Sequence, residues 1–360
     1  MSLSPASASA LALACVAAAS LAVHAQAPPT QAPQPSFRAG TTLVEVSAIV
    51  TRDGRPVTDL RAEDFTVLDN GKPQPVVAFE RVDLGGVAGP AQRRDFIVVL
   101  DDLHVDPVQT SQVIWAATSF LERLGPHDRV AVVRTGPPDE PIEFHVDRDR
   151  TRAAIAAFCG QKLSGPTLDG ERQIRARAAL DVIAQVAEAM RGDAVERRAM
   201  LLFGEGHPAF MLEPRINSRQ DVHDVYLRFL EVLRQAAIAN VAIYTVDPRG
   251  LRAPGLASTT TRTVTPAADA ISLSGDLMSS SAALASETGG IQTRWTNDLT
   301  ANYARLVQDS RQYYRLAYAQ PDPPPGKRQP ATRKISVKVS RPGLQVRARQ
   351  RYAPVVSKPS

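Results

Sequence analysis

The chain is poor in cysteine and in aromatic residues for its length. Only two of its 360 residues are cysteine, and aromatic residues make up 5%. Two cysteines cannot build a disulfide framework, so a small disulfide-stapled fold is excluded. The mean hydropathy of −0.16 excludes a multi-pass membrane protein. The hydrophobic fraction of 44% instead predicts a soluble globular chain, long enough for one large core and a smaller unit.

Sequence motifs of common enzymes are also missing. We find no Gly-x-Ser-x-Gly, His-Glu-x-x-His or Gly-x-Gly-x-x-Gly pattern, and the residues at 103–107 are Leu-His-Val-Asp-Pro where a phosphate loop would stand. We therefore expect a protein that is not an enzyme. An α/β hydrolase that uses Asp102, His104 and a distant serine is the alternative.

The first 25 residues contain no Asp, Glu, Lys or Arg. An apolar run from Leu11 to Val23 ends in Val23-His24-Ala25, a small-x-small pattern typical of a signal-peptide cleavage site. We expect residues 1–25 to be a signal peptide, residues 26–36 to be a Pro-rich linker, and the mature chain to be secreted or periplasmic without a membrane span.

Acidic residues are almost absent from the end of the chain. Residues 311–360 contain twelve Lys and Arg but one acid, Asp322, although the net charge of the whole chain is only +5. The basic residues alternate with apolar ones in 334–339 and 344–349, which predicts two half-buried strands with a solvated cationic face. No aromatic residue interleaves with these charges to stack on bases, so we expect no nucleic acid partner. An anionic envelope surface and a plain solvated face both remain open.

The N-terminal region reads as β-structure. Apolar residues alternate at Val44, Val46, Ala48 and Val50, and Asn70-Gly71 between two runs indicates a hairpin. We expect a small β-rich unit over residues 37–84. About 45 residues cannot bury much alone, so this unit is expected to pack with the C-terminal strands at 331–354 in a β-sandwich-like arrangement.

Residues 92–320 change to alternating strand and helix patterns. Continuous apolar runs at 95–100, 129–134, 199–203 and 241–246 are typical of strands buried on both faces of a parallel sheet. Residues 313–318 are expected to form a last strand of the same sheet. Asp106 before Pro107 predicts a helix N-terminus. The expected fold class is α/β, with a doubly wound, mostly parallel, Rossmann-type sheet.

Several segments together resemble the bacterial VWFA-related family, exported proteins with a von Willebrand factor A-like domain. The segments are Asp101-Asp102-Leu103-His104, Leu124 to Val133, Phe203 to Gly206, Asn240 to Leu251, Ser286 to Gly290 and Tyr313 to Tyr318. The resemblance covers residues from about Phe37 to Pro354. It implies a ligand site at the carboxyl ends of the sheet strands.

The resemblance further implies a divalent cation, held by a strand-end Asp-x-Ser-x-Ser, a threonine from a second loop and an aspartate from a third strand. This chain departs from that pattern, because Leu103 and Val105 replace the serines. The candidate ligand-binding residues are Asp101, Asp102, His104, Thr167 and Glu205. If a metal is bound, its ligands are Asp101, Asp102, Thr167 and Glu205, and His104 would join them only in a noncanonical site. The loss of two hydroxyl ligands predicts weak Mg²⁺ binding or none. A histidine ligand would instead favour a transition metal.

We therefore expect no resident cofactor and a binding module with a degenerate adhesion-type metal site. Its partner would be a protein or an anionic or basic envelope ligand. A structural envelope component with a vestigial site is the alternative.

Overall fold

The computed structural model describes residues 42–84, 94–136, 141–162, 169–191, 198–206, 220–249, 280–294, 296, 298–323, 329–330, 332–352 and 354. All of them belong to one compact unit, Gly40–Ser360. The expected signal peptide and linker, and Thr167, lie outside the described residues. No helix in the described ranges is both long and apolar enough to cross a membrane.

Fourteen strands and six helices make up the described structure. The strands are β1 (Leu43–Arg52), β2 (Arg55–Pro56), β3 (Phe65–Asp69), β4 (Lys72–Gln74), β5 (Ala78–Asp83), β6 (Asp95–Leu100), β7 (Arg129–Arg134), β8 (Arg198–Phe203), β9 (Val241–Val246), β10 (Gln292–Thr293), β11 (Gln312–Ala319), β12 (Arg333–Val339), β13 (Gln345–Ala348) and β14 (Arg351–Tyr352). The helices are α1 (Thr110–Leu121), α2 (Arg148–Ala156), α3 (Asp169–Ala189), α4 (Gln220–Ile238), α5 (280–288 within the described range) and α6 (Thr300–Asp309).

A parallel sheet with the order β10-β9-β8-β6-β7 forms the centre of the α/β part. Its strands alternate between two cores. Ile97 and Val99 pack with α3, α4 and α5, whereas Phe96 and Val98 pack with α1, α2 and α6. Because helices cover both faces, the central strands β6, β8 and β9 are continuous apolar runs, whereas the short edge strand β10 is Gln292–Thr293. The mixed α/β class predicted from the sequence is confirmed.

The chain enters α1 through a capped turn. The Asp106 carboxylate accepts a hydrogen bond from the Val108 amide at 3.0 Å, and Pro107 begins a short 3-10 turn that leads into α1. Asp106 is therefore an N-cap, as its position before Pro107 predicts.

Two antiparallel sheets contain strands from both ends of the chain. One has the order β13-β1-β11-β5, with β2 also paired to β1, and the other has the order β14-β12-β3-β4. The β3–β4 hairpin turns at Asn70 and Gly71, whose φ angles of 46° and 79° suit a type I′ turn.

The expected place of residues 313–318 in the parallel sheet is wrong. They belong to β11, which lies between β1 and β5 and is antiparallel to both. The physical reason lies in the partners of one face: Tyr314, Leu316 and Tyr318 pack into the core between the antiparallel sheets. The Tyr314 hydroxyl donates to the Val57 carbonyl and the Tyr318 hydroxyl to the Asp69 carboxylate, so both tyrosines find their polar partners in that core.

Candidate functional site

Three neighbouring strands of the parallel sheet end at the same level. Leu100 at the end of β6 is in register with Arg134 of β7 and with Phe203 of β8. The residues that follow these positions therefore meet at one edge of the sheet: Asp101 and Asp102 after β6, Thr135 and Gly136 after β7, and Gly204 and Glu205 after β8. Open α/β sheets bind ligands at this edge.

Asp101 is fully buried and accepts hydrogen bonds from two side chains. The Thr135 hydroxyl donates to Asp101 Oδ1 at 2.7 Å, and His104 Nδ1 lies 2.9 Å from the same oxygen and 3.1 Å from Oδ2. Gly204 allows this approach, because a Cβ there would lie 3.0 Å from Asp101 Cβ. The imidazole and the hydroxyl therefore fix the carboxylate in place.

Asp102 is buried as well and is held by the loop after β7. Its Oδ1 accepts the Gly136 amide at 2.6 Å and the Thr135 hydroxyl at 3.0 Å, and its Oδ2 accepts Gln161 Nε2 at 3.2 Å. A Cβ at Gly136 would lie 2.7 Å from Oδ2. Both oxygens of this carboxylate accept hydrogen bonds from protein donors.

Glu205 forms the third buried carboxylate of the edge. Its Oε2 lies 2.5 Å from the Lys162 ammonium, and its Oε1 accepts the Asp106 amide at 2.9 Å. The Glu205 side chain is 4% exposed, whereas that of Lys162 is 37% exposed. The ammonium of Lys162 therefore neutralises Glu205 from the solvent side.

A second cation lies beside Glu205. Arg249 follows β9, pairs with Asp247 at 2.7 Å and reaches to 3.4 Å from the Glu205 carbonyl oxygen. Burial alone would lower the pKa of the Arg249 guanidinium, but the hydrogen bond and charge of Asp247 and the charge of Glu205 raise it. The ion pair is therefore retained.

The side chains that the structure describes at this edge do not offer a ligand set suited to a divalent cation. Leu103 and Val105 stand where the resemblance implies two serine ligands. Neither side chain contains an oxygen, and Val105 is also fully buried, so these two positions cannot supply hydroxyl ligands. The three carboxylates already have partners within the protein. Asp101 and Asp102 accept hydrogen bonds, and Glu205 is paired with the Lys162 ammonium. No group of three metal-ligating side chains occurs in the described residues.

The structure brings together four of the five predicted site residues: Asp101, Asp102, His104 and Glu205. The sequence interpretation missed Thr135, Gln161, Lys162 and Arg249. Thr135 and Arg249 could have been found, since both follow buried strands and strand ends meet at one edge. Lys162 stands in an aperiodic loop where no pattern marks it.

No family model and no curated protein matches the chain. Among solved structures, it is similar to the conserved hypothetical protein BatB from Bacteroides thetaiotaomicron, with 14% identity, coverage of 60% of this chain and 98% of that chain, and a TM-score of 0.35. It is also similar to an aerotolerance-related membrane protein from Bacteroides fragilis, with 13% identity, coverage of 61% of this chain and 98% of that chain, and a TM-score of 0.34. The SpRpn10 VWA domain is a third similar structure, with 8% identity, coverage of 60% of this chain and 94% of that chain, and a TM-score of 0.28.

Proposed function

We propose that the chain is an exported, von Willebrand factor A-like binding module that engages a protein partner at the carboxyl edge of its parallel sheet without a divalent cation. The observation that carries the proposal is the contact between the Lys162 ammonium and Glu205, beside two carboxylates that protein donors already hold. A metal would have to displace these donors before it could bind.

The partner meets the groups that reach solvent at this edge. The carboxylates of Asp101, Asp102 and Glu205 are buried, whereas Lys162 and the turn formed by residues 103–106 are partly exposed, apart from buried Val105. Lys162 is the more exposed member of the ion pair with Glu205 and is therefore the charged group of this pair that meets the partner. The buried carboxylates act by fixing the positions of Lys162 and of the turn.

Metal independence can be measured directly on the purified chain. We expect titration calorimetry with Mg²⁺ and with Mn²⁺ to show no binding in the micromolar range, because each carboxylate is already occupied by protein donors. Micromolar affinity for either cation would contradict the proposal.

Partner binding provides the second test. Capture of a partner from an envelope extract should be the same in EDTA and in Mg²⁺, and it should be lost in Lys162→Glu. Lys338→Glu is the matched control, because Lys338 is an exposed lysine of β12, outside the parallel sheet. Loss of capture in EDTA, or equal loss in both variants, would contradict the proposed site.

A further inference from the structure

Strand β5 forms one edge of an antiparallel sheet. The sheet has the order β13-β1-β11-β5, so among the strands that the structure describes β5 pairs with β11 alone. Most of its residues are exposed, namely Ala78, Glu80, Arg81 and Asp83. An exposed edge strand offers a row of backbone groups to which a strand of another molecule can add.

The backbone groups that face outward belong to the odd-numbered residues of β5. The Leu84 amide, directly after β5, donates to the Arg311 carbonyl at 2.8 Å. Hydrogen-bonded positions alternate along an antiparallel pair, so the even-numbered residues of β5 bond to β11. The amides and carbonyls of Phe79, Arg81 and Asp83 therefore point away from β11.

Two side chains of opposite charge lie on one face of this edge. Arg81 and Asp83 are two residues apart, so both lie on the face that carries Phe79. Arg81 Nη1 donates to the Thr58 carbonyl at 3.0 Å, and Asp83 Oδ1 accepts Gln312 Nε2 at 3.0 Å. A guanidinium has five N–H donors and a carboxylate accepts several hydrogen bonds. Because both residues are exposed, each can also meet a charged group of another molecule.

This edge is complementary to itself when two copies run antiparallel. The outward-facing residues of one strand must be in register with outward-facing residues of the other. With the twofold axis at Val82, Arg81 of each copy lies opposite Asp83 of the other. With the axis at Arg81 two guanidinium groups would face each other, and with the axis at Glu80 two carboxylates would. Charge therefore favours the register centred on Val82.

We propose that the chain forms a twofold symmetric dimer by antiparallel addition of β5 to β5 of a second copy. The backbone groups of Arg81 and Asp83 exchange hydrogen bonds across the axis, and the ion pairs between their side chains fix the register. The sheets of the two copies thereby continue into one another, which covers both exposed edges. The interface uses none of the residues of the carboxyl edge and does not depend on the function proposed for it.

The oligomeric state of the full chain tests the proposal. We expect sedimentation equilibrium over a range of protein concentrations to show a monomer–dimer equilibrium. Arg81→Asp places carboxylates opposite each other across the axis, so it should raise the dissociation constant of the dimer about tenfold. Asp83→Arg should have the same effect through opposed guanidinium groups. The double variant, in which the two charges are exchanged, should restore the dimer.

Arg52→Asp is the matched control. Arg52 is an exposed arginine at the end of β1 in the same sheet, and like Arg81 it donates to a backbone carbonyl, that of Pro342 at 3.4 Å. This variant should leave the dissociation constant unchanged, and circular dichroism checks that each variant is folded. A chain that is monomeric at all concentrations, equal weakening by Arg81→Asp and Arg52→Asp, or a double variant as weak as the single ones would overturn the proposal.

A cysteine cross-link measures the register of the dimer. The starting chain carries Cys15→Ser and Cys159→Ser, which remove both native cysteines. Val82→Cys should then form a disulfide-linked dimer on mild oxidation, since Val82 meets its own copy at a non-hydrogen-bonded pair, where Cα atoms are about 4.5 Å apart. Glu80→Cys should not, because Glu80 lies opposite Leu84 of the second copy in this register. On a non-reducing gel, a cross-link through position 80 and none through position 82 would refute this arrangement.

Discussion

The fully buried carboxylate of Asp69 joins side chains from three strands. Its Oδ2 accepts the hydroxyl groups of Tyr318 at 3.0 Å and Tyr352 at 2.7 Å, and its Oδ1 accepts Arg333 Nε at 2.7 Å. These residues belong to β11, β14 and β12. A buried polar network of this kind is stabilising only while every member keeps its protonation state and its partner.

Because of these tyrosines, the free energy of unfolding should fall at alkaline pH. Burial raises the pKa of the Tyr318 hydroxyl, and Tyr352 and Asp69 raise it further. An unfolded tyrosine has a pKa of about 10, so below that pH the contribution is fully present. Above it the unfolded chain loses its protons first, and the free energy of unfolding falls by up to about 1.4 kcal/mol per pH unit for each such group. Urea unfolding at a series of pH values from 8 upward should show a shallower decline in Tyr318→Phe than in the unmodified chain, and parallel curves would contradict this assignment.

The residues of the sheet edge were partly predictable. Asp101, Asp102 and Glu205 follow buried strands whose apolar runs can be seen in the sequence. Because parallel strands end at the same edge of a sheet, these residues are expected at one edge. The donors that occupy them were not predictable in the same way. Gln161 and Lys162 come from a loop after α2, and only the folded path of the chain brings that loop to the strand ends.

Among the elements, β11 shows the limit of sequence periodicity. Its segment follows the α/β pattern directly after α6, so chain order suggests the parallel sheet. Instead, Tyr314, Leu316 and Tyr318 pack into the core between the antiparallel sheets, and β11 pairs with β1 and β5. By contrast, the Asn70-Gly71 hairpin and the strand β6 follow from local chemistry and are found as predicted. Chain order alone thus does not decide which of two sheets a strand joins.

Deletion of the C-terminal strands tests the pairing of β1. Truncation after Pro321 removes β12, β13 and β14. We expect faster hydrogen exchange at the amides of Ile49 and Thr51, which face β13, while Val44 and Val46, paired with β11, keep their protection. Unchanged protection at Ile49 and Thr51, measured by NMR, would contradict this pairing.

At the scale of the whole molecule, two ion pairs lie at the end of α6, and one of them connects an antiparallel sheet to the α/β part. Asp309 at the end of α6 accepts Arg347 of β13 at 2.5 Å and the Tyr244 hydroxyl of β9 at 2.9 Å. Arg94, before β6, contacts the Asp128 carboxylate at 2.9 and 2.5 Å and donates to the Ser310 hydroxyl at 2.9 Å. Both clusters lie at the end of α6, which leads into β11. The first joins β13 of an antiparallel sheet to α6 and β9, and the second joins the residues before β6 and β7 to the end of α6.

The buried Arg94–Asp128 pair should contribute more to stability than an exposed pair of similar geometry. The side chains of Arg94 and Asp128 are 5% and 2% exposed, so Arg94→Met leaves a buried charge uncompensated and should lower the free energy of unfolding by about 3–5 kcal/mol. Arg129→Met is the matched control, because Arg129 and Asp95 form a similar two-point pair between β7 and β6 but are 29% and 21% exposed. Solvent screens that pair, so its loss should cost about 0–1 kcal/mol. Urea denaturation followed by circular dichroism and by tryptophan fluorescence measures both values. If the two variants lose equal stability, burial does not make the Arg94–Asp128 pair more important than the exposed pair.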